Sequence, residues 1–395
     1  MKTSFAFLII CMAVLFSCAT ETGDAVPNAV ITTVSSNLKA LQLDTLYSEL
    51  YESGAFNGCV LVAENGEVIF EKSYGLADEQ TQRALNDSSI FELASVSKQF
   101  TAMGIVQLQK EGKLSFDDEI SRYVPELARY QGVTIFNLLN HTSGLPDYME
   151  LAEEHWDKSK IATNDDILRL FGLQAPAPLF EPNAQWEYSN TGYLVLATII
   201  ERVSGRSFGD YLNDKIFTPL EMTNTLVHRR RFAPLEIENY AHGYVYSESL
   251  QKKILPDELG ADHYVVWLDG IVGDGMVNSN LKDLFKWDRA LYTNQLVDDA
   301  DRDLLFSSVM TADSTQTEYG LGWMIDSTDT YGKSVLHTGG WAGYITFIER
   351  NLDHNHTIIV LQNNAHHDSE MPIEDTRRIL FNQSLGKRGG LEESM

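Results

Sequence analysis

The sequence predicts an α/β chain of the α+β kind: an antiparallel sheet built from both chain ends and flanked by helices, with a mainly helical subdomain inserted between them. Three observations predict it. Cys59–Ala63, the pair Asn65-Gly66 and Val68–Glu71 read as a β-hairpin, because Asn-Gly is the preferred pair for a type I′ turn between two strands. Near the other end, Tyr344–Glu349 and Thr357–Gln362 are β-rich runs joined by Asn351–His356, again a hairpin pattern. The middle is helical in pattern over Ser95–Lys110, Asp165–Leu173, Gly192–Val203 and Leu281–Leu291, separated by Pro- and Gly-containing loops. A further helix is expected around Leu41–Glu52, ahead of the first hairpin. Strand-rich ends around a helical middle imply one sheet made from both termini.

The chain opens with Lys2 and an apolar run of 12 residues, Phe5 to Phe16. That is too short to span a bilayer and suits a signal h-region. The run ends in Leu15-Phe16-Ser17-Cys18, which resembles the site where a bacterial lipoprotein is cleaved and its Cys lipidated. A plain secretory signal cut near Ser17 or Ala19 is the alternative, and both imply export. The layout expected is a signal over 1–17, a flexible tether over 18–37, a folded domain over 38–387 and a tail over 388–395. Within the domain the sheet part takes about 38–94 and 265–387, and the helical part about 95–264. Cys11 leaves with the signal, Cys18 carries lipid, and Cys59 sits in an apolar run as a small core residue. No disulfide framework is expected.

Composition excludes several classes. The 395 residues include 56 Asp+Glu against 30 Lys+Arg, a formal charge of -26 that would repel phosphate backbones, so no nucleic-acid partner is expected. At 44% hydrophobic and 22% charged the chain suits a packed globule rather than a disordered one.

Chemistry first shows in Ala94-Ser95-Val96-Ser97-Lys98-Gln99-Phe100. If Ser95 opens a helix, Lys98 lies one turn on along the same face, within reach of the hydroxyl. A serine is a poor nucleophile until a neighbouring base takes its proton, and a lysine can serve or assist. Phe100, Ala102, Met103, Ile105, Val106 and Leu108 are apolar nearly all round that helix, which marks it as buried. Downstream stand Tyr188-Ser189-Asn190, on a loop ahead of a helix, and His337-Thr338-Gly339-Gly340, ahead of the strand Tyr344–Glu349.

The three elements in this order resemble the active-site motifs of the serine β-lactamase and penicillin-binding-protein superfamily. A tyrosine opening the middle element is similar to its class C branch, which includes DD-peptidases, D-aminopeptidases and penicillin-fold esterases. Leu138–Leu145, Gly273–Ser279 and Tyr319–Trp323 also resemble that branch, and the resemblance spans about Leu41 to Leu385. It implies a β-lactamase/transpeptidase-like fold and a covalent acyl-enzyme on an ester, amide or β-lactam carbonyl. Ser95 would be the nucleophile, with Lys98 and Tyr188 as coupled general base and acid. Asn190 would hold Lys98 and the substrate amide. The backbone N–H groups of Ser95 and Gly340 would form the oxyanion hole, and His337, Thr338 and Gly339 would contact substrate. His337 departs from the Lys usual there, which favours a less anionic substrate, because a His is largely neutral at pH 7.

No metal or cofactor is implied. His354, His356, His366 and His367 lack a ligand spacing, Gly332-Lys333-Ser334 lacks the first Gly of a phosphate loop, and no Gly-x-Ser-x-Gly elbow appears. Ser143 reads as a turn residue, and Asp117–Glu119 as a solvated face. Partners expected are a small-molecule or peptide substrate with a reactive carbonyl, cell-wall material included, and a membrane through the lipid on Cys18. The expected location is a membrane-anchored lipoprotein facing the periplasm or cell surface. Two functional classes stay open: a turning-over serine hydrolase, or a penicillin-binding or sensing module that is acylated without turnover.

Overall fold

The computed structural model describes residues 28–366 and 368–385. The expected signal, Cys18, His367 and the C-terminal tail lie outside them. Helix α1 (Asn28–Glu52) leads into strands β1 (Gly58–Glu64) and β2 (Glu67–Tyr74). The helical middle holds α2 (Lys98–Lys110), α3 (Asn164–Gln174), α4 (Asn190–Ser204) and α5 (Leu281–Ala290). The chain returns through β3 (Met324–Thr328), β4 (Gly332–Trp341), β5 (Tyr344–Asn351) and β6 (His356–Gln362) to helix α6 (Ile373–Leu380).

The sheet is six-stranded and antiparallel, in the order β3-β4-β5-β6-β1-β2. The expected joining of the two ends occurs between β1 and β6, with Cys59 opposite Leu361 and Leu61 opposite Ile359. The β1–β2 turn has positive φ at both Asn65 (53°) and Gly66 (80°), as a type I′ turn requires. Strand alternation sorts the core into two layers. Cys59, Leu61, Ile348, Ile359 and Leu361 face the helical body, while Val60, Val62, Phe347, Ile358 and Val360 meet Leu43, Leu46, Tyr47 and Leu50 of α1 and Ile379 and Leu380 of α6. The Cys59 thiol is buried and its pKa is pushed up to about 12 by desolvation, which makes it the core residue that its apolar run suggested.

Two elements differ from expectation. Helix α1 begins at Asn28, inside the stretch read as tether, because no Gly or Pro interrupts the chain from there to Glu52. The His337–Gly340 element stands ahead of strand β5 as expected, but it also lies within a strand of its own, β4. Its glycines and mixed polarity hide the strand from sequence, and pairing with β3 on one side and β5 on the other supplies what local propensity lacks.

Candidate active site

Ser95 lies in a tight 3₁₀ turn, Ala94–Ser97, that runs straight into α2. The helix proper starts at Lys98, not at Ser95, and Ala94 takes φ 48°, a left-handed conformation costly for a residue with a Cβ. What holds the turn is side-chain and strand contact. Ser97 Oγ accepts the Val277 N–H at 3.0 Å, Thr346 Oγ1 donates to the Leu93 carbonyl at 2.7 Å, and Thr101 Oγ1 donates to the Gly273 carbonyl at 2.6 Å. These bonds also explain why the 273–279 segment belongs to the site: it is tied to the first turns of α2.

Lys98 is fully buried, and its ammonium nitrogen meets three oxygens: Ser95 Oγ at 3.0 Å, Asn190 Oδ1 at 2.9 Å and the Asp274 carbonyl at 2.9 Å. Two of these are permanent acceptors, while the Ser95 hydroxyl can either take or give a proton. Lys98 Nζ also stands 4.9 Å over the Tyr188 ring. Ser95, Lys98, Tyr188 and Asn190, spread over 96 residues of sequence, are thus brought together. Asn190 is the first residue of α4, placed by Ser189, whose Oγ accepts the Gly192 N–H at 3.1 Å as an N-cap.

Beside them lies a cavity of about 570 Å³ whose lining includes Ser95, Asn190, Gly340 and Trp341. Gly340 opens on it, since a Cβ there would meet nothing within 4 Å. Of the other three residues of that strand expected to contact substrate, Gly339 and His337 require correction. A Cβ on Gly339 would lie 2.2 Å from both the Leu93 carbonyl and Thr346 Oγ1, so this glycine admits the Ser95 turn against the sheet and not a substrate. His337 is wholly buried on the same side of the strand, with Nδ1 2.6 Å from the Thr338 carbonyl and Nε2 3.0 Å from the Tyr319 hydroxyl. Burial, and then the Lys98 charge, pushes its pKa down to about 3, so it is a neutral interior group. Thr338 is exposed but stands outside the cavity lining. Strand alternation is the cause: 337 and 339 point inward wherever 338 and 340 point out.

Four contributors escaped the sequence reading. His141, fully buried at φ 63°, packs its ring 4.5 Å from Tyr188 and 4.4 Å from Tyr319. Its Nδ1 accepts the Ser189 N–H at 3.1 Å and its carbonyl accepts the Glu187 N–H at 3.0 Å. Asp274 and Tyr148 line the cavity and share a hydrogen bond of 2.9 Å from the hydroxyl to the carboxylate. Glu92 lines it as well, 8% exposed, its pKa pushed up to about 7 by burial and next by the Asp269 charge. The signal available for His141 was its place in Leu138–Leu145, a segment noted for resemblance and given no role. Asp274 sat in a second such segment.

Comparison with known proteins decides the family. The model of the Beta-lactamase family matches residues 43–383. The chain belongs to the beta-lactamase family. It is a serine hydrolase of that family, with the mixed helix and antiparallel-sheet fold of its relatives. Penicillin-binding protein 4* of Bacillus subtilis (strain 168) is 44% identical over 348 residues, 87% of this chain and 77% of that protein. The crystal structure of a penicillin binding protein from Bacillus halodurans superposes with a TM-score of 0.71 at 25% identity, covering 82% of this chain and 95% of that one. In fold the chain is also similar to a D-amino acid amidase from Ochrobactrum anthropi SV3, with TM-score 0.69 at 23% identity over 87% of this chain and 97% of that one. A class C beta-lactamase superposes at 0.67 and 21% identity, over 89% and 97% of the two chains.

Proposed function

We propose that the protein hydrolyses an ester or amide through a covalent acyl-enzyme on Ser95. The observation that carries this reading is the Lys98 nitrogen held among Ser95 Oγ, Asn190 Oδ1 and the Asp274 carbonyl. As a neutral amine Lys98 would donate to the two fixed acceptors and turn its lone pair to the Ser95 proton; as an ammonium it would donate to all three. The same geometry serves both states, as a proton shuttle needs.

In this mechanism Ser95 Oγ adds to the carbonyl carbon as its proton passes to Lys98, with Tyr188 sharing the proton. The N–H groups of Ser95 and Gly340 receive the oxyanion. The carbonyl–leaving-group bond then breaks, and the leaving group departs with that proton delivered through Tyr188. A water adds to the acyl ester, surrenders a proton to the same pair, and the ester bond to Oγ breaks as Ser95 is reprotonated. Asn190 keeps Lys98 in place throughout. With His337 neutral and interior, a substrate carboxylate lacks the cation that a Lys would offer at that position, which favours an ester or amide over a β-lactam.

The test is the time course of chromophore release from p-nitrophenyl acetate. Continued turnover dependent on Ser95 is expected. One stoichiometric release with no steady state would instead identify a sensing or penicillin-binding module that is acylated and does not deacylate. The N-terminal run and Cys18 support export and lipid anchoring; replacing Cys18 by Ser should move the protein from the membrane fraction to the soluble one.

A further inference from the structure

We infer that Tyr148 is a positioning residue for the reaction at Ser95: its hydroxyl holds the Asp274 carboxylate off Lys98, so that the lysine meets the Asp274 main-chain carbonyl and stays free to exchange a proton with Ser95. The inference rests on the hydrolase reading of Ser95 and adds a device that governs its base.

The contacts form a closed ring. Lys98 Nζ donates to Asn190 Oδ1 and to the Asp274 carbonyl, each at 2.9 Å. Next to Asn190 in the chain, Thr191 Oγ1 accepts the Tyr148 N–H at 2.8 Å and donates to the Pro146 carbonyl at 2.7 Å. Tyr148, 2% exposed, then donates its hydroxyl to Asp274 Oδ2 at 2.9 Å and closes the ring. Two of the three oxygens around Lys98 are thus joined to each other through this tyrosine.

The main chain does not fix Asp274 by itself. Gly273 and Gly275 flank it, Gly273 at φ 111° and Gly275 with open space where a Cβ would stand. Neither Asp274 nor Gly275 makes a backbone-to-backbone hydrogen bond among the described residues. Side chains hold the segment instead: Thr101 on the Gly273 carbonyl at 2.6 Å, and Tyr148 on the Asp274 carboxylate. Among the described residues that carboxylate makes no hydrogen bond or ion pair with Lys98, whose charge reaches it through space. Released from Tyr148, and with glycines on both sides, it would turn to that cation. A carboxylate in direct contact favours the charged form of its partner, which would keep Lys98 an ammonium and deny Ser95 its base. The other groups facing Lys98 supply no rival charge: the Tyr188 ring stands 4.9 Å from Nζ, the Tyr193 ring 5.6 Å, and His141 and His337 are held toward their neutral forms, chiefly by burial. Behind Asp274, Asp147 caps the helix Tyr148–His155 and adds its negative charge. Burial, and then the Asp274 charge, push the Tyr148 pKa well above its usual value, so the hydroxyl keeps the proton that it donates.

The experiment is the pH profile of kcat/KM on p-nitrophenyl acetate for the native protein, for Tyr148→Phe, and for Tyr148→Phe combined with Asp274→Asn. Phe keeps the ring and removes only the hydroxyl. The acidic limb of the single variant should move up by about one pH unit or more, a loss of about tenfold at a pH on that limb. Removing the acid as well should return the limb to its native position or below it. A loss of equal size at every pH, or one that Asp274→Asn does not reverse, would leave Tyr148 a structural role alone and overturn the inference. Should Tyr148→Phe not fold by far-UV circular dichroism, Asp274→Asn decides: its acidic limb should lie below the native one, because a negative charge near Lys98 is gone, and an unmoved limb would overturn the inference. Where acylation is not followed by turnover, the pH dependence of adduct formation on Ser95, read by intact-protein mass, serves as the same readout. A Ser95-dependent adduct in the native protein reports the hydrolase reading separately, so its absence and an unmoved limb are distinct results.

Discussion

His141 grips the chain on both sides of Tyr188: its ring nitrogen takes the Ser189 N–H at 3.1 Å, its carbonyl takes the Glu187 N–H at 3.0 Å, and its ring lies 4.5 Å from the tyrosine ring. Accepting at Nδ1 requires that this nitrogen carry no proton. Burial and the Lys98 charge hold the pKa well below the usual histidine value and keep it so. His141→Gln keeps the backbone carbonyl but loses the ring nitrogen and the ring contact, and places a less tolerant residue at φ 63°. We expect kcat to fall by about 10²-fold with KM little changed, measured by steady-state kinetics on an activated ester, with far-UV circular dichroism confirming the fold.

Ser95→Ala should abolish activity, by on the order of 10⁴-fold or more. Incubation with an activated ester followed by intact-protein mass measurement should show an acyl adduct on the native chain and none on the variant. An adduct persisting on Ser95→Ala would assign the nucleophile elsewhere.

Lys98→Met should cost about 10²- to 10⁴-fold in rate and leave Asn190 Oδ1 and the Asp274 carbonyl without their buried donor. Activity should therefore fall further than stability, which a thermal melt read beside the kinetics would show. A variant retaining native rates would remove Lys98 from the chemistry.

Gly339 and Gly340 should separate cleanly. Gly339→Ala forces a methyl group onto the Leu93 carbonyl and Thr346 Oγ1, and should destabilise the fold by about 1–3 kcal/mol. Gly340→Ala meets open space, so its denaturation midpoint should stay native while bulky substrates slow. Urea titrations and rates on a short and a branched acyl ester check both.

Stability should fall as pH drops below the ordinary histidine range. For His337, with a native pKa of about 3, the unfolded chain binds the proton first. Its contribution is therefore present above about pH 6.5 and is lost progressively toward pH 3, at up to about 1.4 kcal/mol per pH unit. His356, lowered to about 4 by burial, acts in the same direction over a narrower window. Glu92 acts oppositely: its raised pKa favours the fold below about pH 4.5 and loses that advantage as pH rises through about 7. Urea midpoints from pH 7 to pH 4 should decline, and less steeply in His337→Gln.

Local chemistry was readable wherever one short stretch carries it. Asn65-Gly66 specified its turn because positive φ at two successive positions is cheap only for such residues, and Ser95 with Lys98 stood out because a single helical turn sets their separation. The apolar runs of β1 and β6 told that both chain ends enter one sheet, since neither can be buried without the other. Tertiary structure alone decided the rest. Which way His337 and Gly339 face depends on the register of β4 between β3 and β5, and one step of register exchanges inside for outside. His141, Asp274 and Glu92 gain their meaning only when loops and strands far apart in sequence meet, because burial, the field of Lys98 on the first two and that of Asp269 on the third are properties of that assembly and not of any residue alone.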